Sequence, residues 1–241
     1  MTTKALAALK ARPQAHPQAL EALKKAGSRK VLAGYARYGI ATSKAFGIPM
    51  KTIQALGKKL GKDHVLAEEL WKSGWYEARL LACYVEDPAR VTPAQMERWA
   101  RGFDNWAICD TVTFVCWDKT PHAWTKIAAW SRRKEEFVKR AGFALLAAVA
   151  LHDKSTPAKK LLASLKWIER GAADERNFVK KGVSWALRTV GRQRPKVHSA
   201  AVALTRRLIT SESKAAQWVG RDALKDLTRP LVLRAIARRT T

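Results

Sequence analysis

The sequence predicts an all-α protein, a solenoid of HEAT/ARM-like helical hairpin repeats, and three observations predict it. Strand signals are nearly absent: there is no run of alternating β-branched residues and no Asn-Gly or Asp-Gly hairpin turn. Helix-start signals recur instead, several of them a capping hydroxyl followed by proline. Between those signals the apolar residues return at spacings of three and four, the period of a helix with one buried face.

Taken in chain order, the opening stretch MTTKALAALKARPQ reads as a plain first helix. Its basic, Ala-rich character is similar to a transit peptide, but it lacks the long apolar segment and cleavage site of a secretory signal. Ile48-Pro49 marks the next clear start, and Thr92-Pro93-Ala94-Gln95 reads as a capping box with proline at the first helical position. Asp104, Ser131, Asp174 and Ser211 are further expected N-caps, and Thr120-Pro121 and Thr156-Pro157 repeat the cap-then-proline pattern. The run Ala141 to Leu151 is apolar throughout and closed by Arg140 and by His152-Asp153, so it reads as a core helix; it is about half of what a bilayer span requires. Val179, Val183, Ala186, Leu187 and Val190 form the buried stripe of another. The count comes to about a dozen helices joined by short polar turns, with no long Pro, Gly or Ser linker. Pairs of them recur at roughly 35 to 45 residues, the range of HEAT and armadillo units, although no strict period is visible. The alternative is a globular helical bundle. The expected organisation is one domain over residues 1–241 with a basic C-terminal half, 119–241.

Composition narrows the partners. With 47% apolar residues the chain can bury a core, yet 46 Lys and Arg against 20 Asp and Glu leave a formal charge of +26. That excess calls for a polyanion: nucleic acid, an anionic membrane or an acidic protein. The membrane is the weakest of the three. Residues 1–118 hold 18 basic and 11 acidic residues, whereas residues 119–241 hold 28 and 9, so the second half is expected to dominate phosphate contact. Arg132-Arg133-Lys134, Lys180-Lys181, Arg192 to Lys196 and Arg206-Arg207 lack the interleaved glutamates of a merely solvated face.

Cys83, Cys109 and Cys116 form no C-x-x-C pair, and the five His residues are scattered; no metal and no cofactor is implied. Cys109 and Cys116, seven apart in one predicted helix, read as small buried residues, and reduced cysteines fit a cytoplasmic, nucleoid-associated protein, expected to be a monomer. Of the ten Trp residues most are expected in the core. Two are set apart. Trp106 stands four residues before Asp110, which places an indole and a carboxylate on one face of a helix beginning near Asp104; Trp185 and Arg188, three apart, make a second pair on a basic helix.

With these residues the chain resembles the AlkD family of bacterial DNA glycosylases, from about Val31 to Arg206. The resemblance rests on D-N-W-x-x-x-D at Asp104 to Asp110, F-x-K-R at Phe137 to Arg140 and K-K-x-x-x-W-x-L-R at Lys180 to Arg188. A looser correspondence is Tyr38, nine residues before Gly47-Ile48-Pro49; the surrounding Gly34 to Ile40 departs from the family's pattern. The resemblance implies a right-handed superhelix of HEAT-like repeats that excises alkylated purines, such as 3-methyladenine and 7-methylguanine, from duplex DNA without a base-flipping pocket. It implies Asp110 as the catalytic carboxylate with Trp106 and Trp185 beside it, and DNA contacts from Arg140, Arg188, Tyr38, Lys139, Lys180 and Lys181.

The chemistry suits those residue types. A purine alkylated at N3 or N7 leaves as a neutral base, so what needs stabilising is the oxocarbenium ion left on the sugar, which a carboxylate can face while orienting the attacking water. Indole faces attract the cationic lesion by about 0.5–2 kcal/mol each. A second expectation, from a different class, is a catalytically silent relative that grips distorted or branched duplexes; a third is an adaptor for an acidic protein.

Overall fold

A computed structural model of the chain describes residues 15–40 and 42–239; the helix expected in residues 1–14 lies outside them. Among the described residues there are 14 α-helices, two short 3₁₀ turns and no strand. Within the span expected as one domain the chain forms two compact units, meeting in sequence at Thr120 and Pro121. The step in charge read at residue 119 lies beside that boundary: 27 of the Lys and Arg residues and 9 of the Asp and Glu residues fall in 121–241.

The first unit contains α1 (Ala15–Lys25), α2 (Arg29–Gly34), a 3₁₀ turn (Tyr35–Tyr38), α3 (Met50–Leu60), α4 (His64–Lys72), α5 (Tyr76–Val85), α6 (Pro93–Arg101) and α7 (Trp106–Val115), then the turn Trp117–Lys119. Helices α3, α5 and α7 pack in succession as one layer, and α4 covers α5. Indoles fill this core: Trp71 and Trp99 stack at 4.2 Å, with Phe103 and Trp117 against them. Glu77, fully buried on α5, is kept there by donors from the preceding loop. Its carboxylate accepts from Tyr35 Oη and from the backbone N–H groups of Phe46, Gly47 and Ile48, which is how a buried anion is tolerated at all.

The second unit contains α8 (Ala123–Trp130), α9 (Glu136–His152), α10 (Ala158–Ala172), α11 (Asn177–Gly191), α12 (Pro195–Ile209), α13 (Lys214–Leu227) and α14 (Pro230–Ala237). Here α9, α11 and α13 form one layer and α10 and α12 the other, and α8 with α9, α10 with α11 and α12 with α13 pack as sequential pairs: stacked hairpins. The inner helices begin at 136, 177 and 214, so they recur after 41 and then 37 residues, whereas α3, α5 and α7 begin at 50, 76 and 106. Shorter repeats in the first unit account for the missing strict period. The run Ala141 to Ala150 is buried along its whole length, because α9 has neighbours on several sides, and Leu151 at its end is 40% exposed. Small residues let the helices close: Gly142 lies against the backbone of Trp130–Ser131, and Gly182 against the Arg140 side chain. The stripe Val179, Val183, Ala186, Leu187 and Val190 is fully buried, each large member contributing about 1.5–3 kcal/mol.

Several caps differ from those read in the sequence. Thr92 Oγ1 does accept from Gln95 N, but the Gln95 side chain donates to buried Glu86 instead of closing the box. Asn105, not Asp104, caps α7, and Ser213, not Ser211, caps α13. Thr120 Oγ1 donates to the Trp117 carbonyl and Thr156 Oγ1 to Asp153, so neither caps the helix after its proline. Ser131 ends α8, and Asp174 accepts from Arg176 N in the turn before α11. A hydroxyl has more than one acceptor within reach, and tertiary position decides which it takes. Cys116 lies just past the end of α7, so it does not share a helix with Cys109; both are buried, and burial pushes the Cys116 thiol up to about 12.

Candidate nucleic-acid interface

In the first unit the candidate residues gather at the start of α7. Asn105 Oδ1 accepts from the N–H groups of Ala107 and Ile108 at 3.0 and 3.1 Å, and its Nδ2 donates to Asp104 at 2.7 Å. Arg79, whose Nη1 donates to the Gly102 carbonyl at 3.1 Å, stands 3.8 Å from Asp104. These bonds fix where the helix starts and hence the heading of its first turn. Trp106 and Asp110, one turn apart, are both half-buried, while Ala107, Ile108 and Cys109 between them point into the core. The expected shared face is therefore present. Trp106 is also braced from outside: its Nε1 donates to the backbone carbonyl of Tyr38 at 2.7 Å.

Tyr38 thus meets Trp106 through its main chain, and its side chain stays 66% exposed. The Gly47-Ile48-Pro49 segment has a physical rationale of its own. Gly47 has φ +79°, and a Cβ there would collide with the Ser28 carbonyl; Ile48 is buried and Pro49 precedes the first turn of α3.

In the second unit the candidates lie on α9 and α11, which pack directly on one another. Arg140 is buried on α9, and its Nη1 donates to the Phe178 carbonyl at 2.6 Å. Lys139 Nζ sits 2.8 Å from Asp174, which Arg176 also clasps. Those two cations, Arg176 foremost, hold the Asp174 carboxyl well below the usual aspartate range. To reach a phosphate Lys139 has to leave Asp174. Lys180 lies over the Trp218 ring at 5.4 Å, and Lys181 is exposed. Trp185 and Arg188 are half-buried; Arg188 Nε is 3.7 Å from Asp222, which also accepts from buried Ser184. Trp185 and Arg188 line one open groove of about 650 Å³ together with residues of α14.

Sequence reading missed three things. Glu77 is the hub that fixes the Gly47 loop; a single Glu in a helix carries no signal of burial. Asp222 and Asp226 on α13 hold Arg188 of α11 and Arg192 just past its end, a pairing that no spacing announces. The contribution of α14 to the groove was equally invisible. Among the described residues no three His, Cys, Asp or Glu side chains form a metal-binding group, and no helix is long and apolar enough to cross a membrane.

Residues 19–227 match the family model described as DNA alkylation repair enzyme. The chain is also similar to a solved structure described as "a new family of proteins related to the HEAT-like repeat DNA glycosylases with affinity for branched DNA structures". The two share 19% identity at a TM-score of 0.73, over 86% of this chain and 93% of that one, a likeness of fold: a HEAT-like repeat helical architecture. No curated protein matches.

Proposed function

Because the chain belongs to the DNA alkylation repair enzyme family, we propose that it is a monofunctional DNA glycosylase acting on cationic alkylated purines in duplex DNA, with Asp110 as its catalytic carboxylate. One observation carries this reading: the first turn of α7 is locked by Asn105, so that Trp106 and Asp110 stand together, half-buried, on one face. A carboxylate so placed can stabilise the oxocarbenium ion that develops as the N-glycosidic bond breaks, and hold the water that attacks C1′. The base leaves neutral, so a single carboxylate suffices where ordinary glycoside hydrolysis uses two. Trp106 would meet the sugar and the cationic lesion with its ring face. In the second unit Arg188, Lys180 and Lys181 engage phosphates, and Arg140 supports them through the α9–α11 contact.

The test is incubation of the protein with alkylated duplex DNA and measurement of released 3-methyladenine and 7-methylguanine. Release well above the spontaneous rate is expected; none above it sinks the catalytic reading.

A second reading is favoured by the solved neighbour, whose family is described as having affinity for branched DNA. In that reading the basic surface grips branched duplexes and Asp110 is idle. Tight binding to a three- or four-way junction without base release selects it.

A further inference from the structure

The groove beside Trp185 has a chemistry that phosphate contact alone does not explain. Its walls come from α11 and α14, with Leu151 and Lys154 from the end of α9. Leu231 and Ala235, four residues apart on α14, present one apolar face, and both are exposed, while Ile236 turns inward and is buried. Val232, Leu151 and Trp185 line the same groove and add to its apolar surface. The rim is cationic: Arg188, Arg192, Arg229, Arg239 and Lys154 all line the groove, and no carboxylate does.

The cations are held in place. Asp226, buried on α13, bonds Arg192 and stands 3.8 Å from Arg229, while Arg239 Nη1 donates to the carbonyls of Arg192 and Gln193 at 2.6 and 2.8 Å. Two carboxylates, Asp222 and Asp226, stand behind five cations. The groove is left with a net positive charge.

A surface built only to follow a duplex backbone needs cations and no hydrophobic floor, whereas this open groove carries both. An indole and aliphatic side chains beneath a ring of arginines are what an unstacked base with its phosphates requires: a sequence-tolerant apolar and aromatic surface below, charge at the edge. We propose that this groove is a binding site for an unpaired nucleotide of a single DNA strand. The base lies against Trp185 and the α14 face, and its flanking phosphates lie on Arg188, Arg192 and Arg229. The inference rests on the nucleic-acid reading above, but not on catalysis by Asp110.

The experiment measures binding of the full chain to a fluorescent duplex, to the same duplex bearing a ten-residue oligothymidine arm, and to phosphatidylserine vesicles. The armed duplex is expected to bind at least about fivefold tighter than the blunt one. Leu231→Glu, at a position 66% exposed, and independently Ala235→Glu should erase that preference while blunt-duplex affinity changes less than about twofold. Arg229→Gln with Lys154→Gln should reduce the salt slope on the armed duplex by about one. Equal affinity for armed and blunt duplex, or a preference that survives both α14 variants, overturns the proposal. So does vesicle binding that Leu231→Glu abolishes, since the groove then serves a membrane. Failure to bind any DNA instead defeats the nucleic-acid reading itself, a different outcome from a lost preference.

Discussion

Asp110 is where a binding protein and an enzyme part company. Replacing it with asparagine keeps the size and the helix and removes only the charge. Under the glycosylase reading, Asp110→Asn lowers the single-turnover excision rate by several orders of magnitude and leaves the DNA dissociation constant nearly unchanged. Equal rates remove Asp110 from the chemistry. Asn105 offers a complementary case: its side chain makes the capping bonds of α7, so Asn105→Ala acts on the heading of Trp106, at a cost of about 0.5–2 kcal/mol. The D-N-W-x-x-x-D spacing was legible because helical geometry alone puts positions four apart on one face. Its correct start was not, because aspartate and asparagine are equally good caps; in the folded unit Asn105 caps while Asp104 accepts from Asn105 Nδ2 and stands 3.8 Å from Arg79.

Between elements, the second unit depends on close helix approach and on a few charged ties. Gly171 of α10 faces the fully buried Phe143 ring of α9, and a methyl at that position would overlap it. Gly171→Ala is therefore expected to destabilise by about 1–3 kcal/mol, read as a lower midpoint in chemical denaturation; an unchanged midpoint means that the ring can move aside.

Asp174 ties the first turn of α9 to the turn before α11 through Lys139 and Arg176. Its carboxyl is depressed below the ordinary value of 3.8, so the stabilisation is fully present above that value and is lost as the pH falls below it. Asp174→Asn should cost about 1–3 kcal/mol at pH 7, and the difference from the parent should shrink as the pH drops from 4 toward 2. A gap that is independent of pH refutes the ionic origin.

At the scale of the whole chain the governing quantity is charge. The unit from Pro121 onward carries 27 basic and 9 acidic residues, so DNA affinity is expected to fall by about 10³–10⁵ between 50 and 200 mM salt if six to ten phosphates are engaged. Exposed Lys181→Gln should flatten the slope of log affinity against log salt by about one. Arg140 is buried and bonded to Phe178, so Arg140→Ala should lower the unfolding midpoint and weaken binding by loosening α9 against α11, with the salt slope little changed. A slope near zero for the parent protein removes phosphate contact from the account.

By itself the sequence determined the all-helical class, the buried stripe of α11, the buried run of α9, the step in charge near residue 119 and the paired Trp106 and Asp110. Each of these is a periodic or additive property of the chain, set by helical spacing or by counting. Only the tertiary structure decided which hydroxyls cap and which bond elsewhere, why Glu77 can be buried, which carboxylates restrain Arg188 and Arg192, and that Leu231 and Ala235 of α14 line one groove with Trp185. The hydroxyls choose among acceptors three residues away, and the rest depends on groups roughly 30 to 80 residues apart meeting in space; a side chain with several possible partners takes the one that packing leaves within reach.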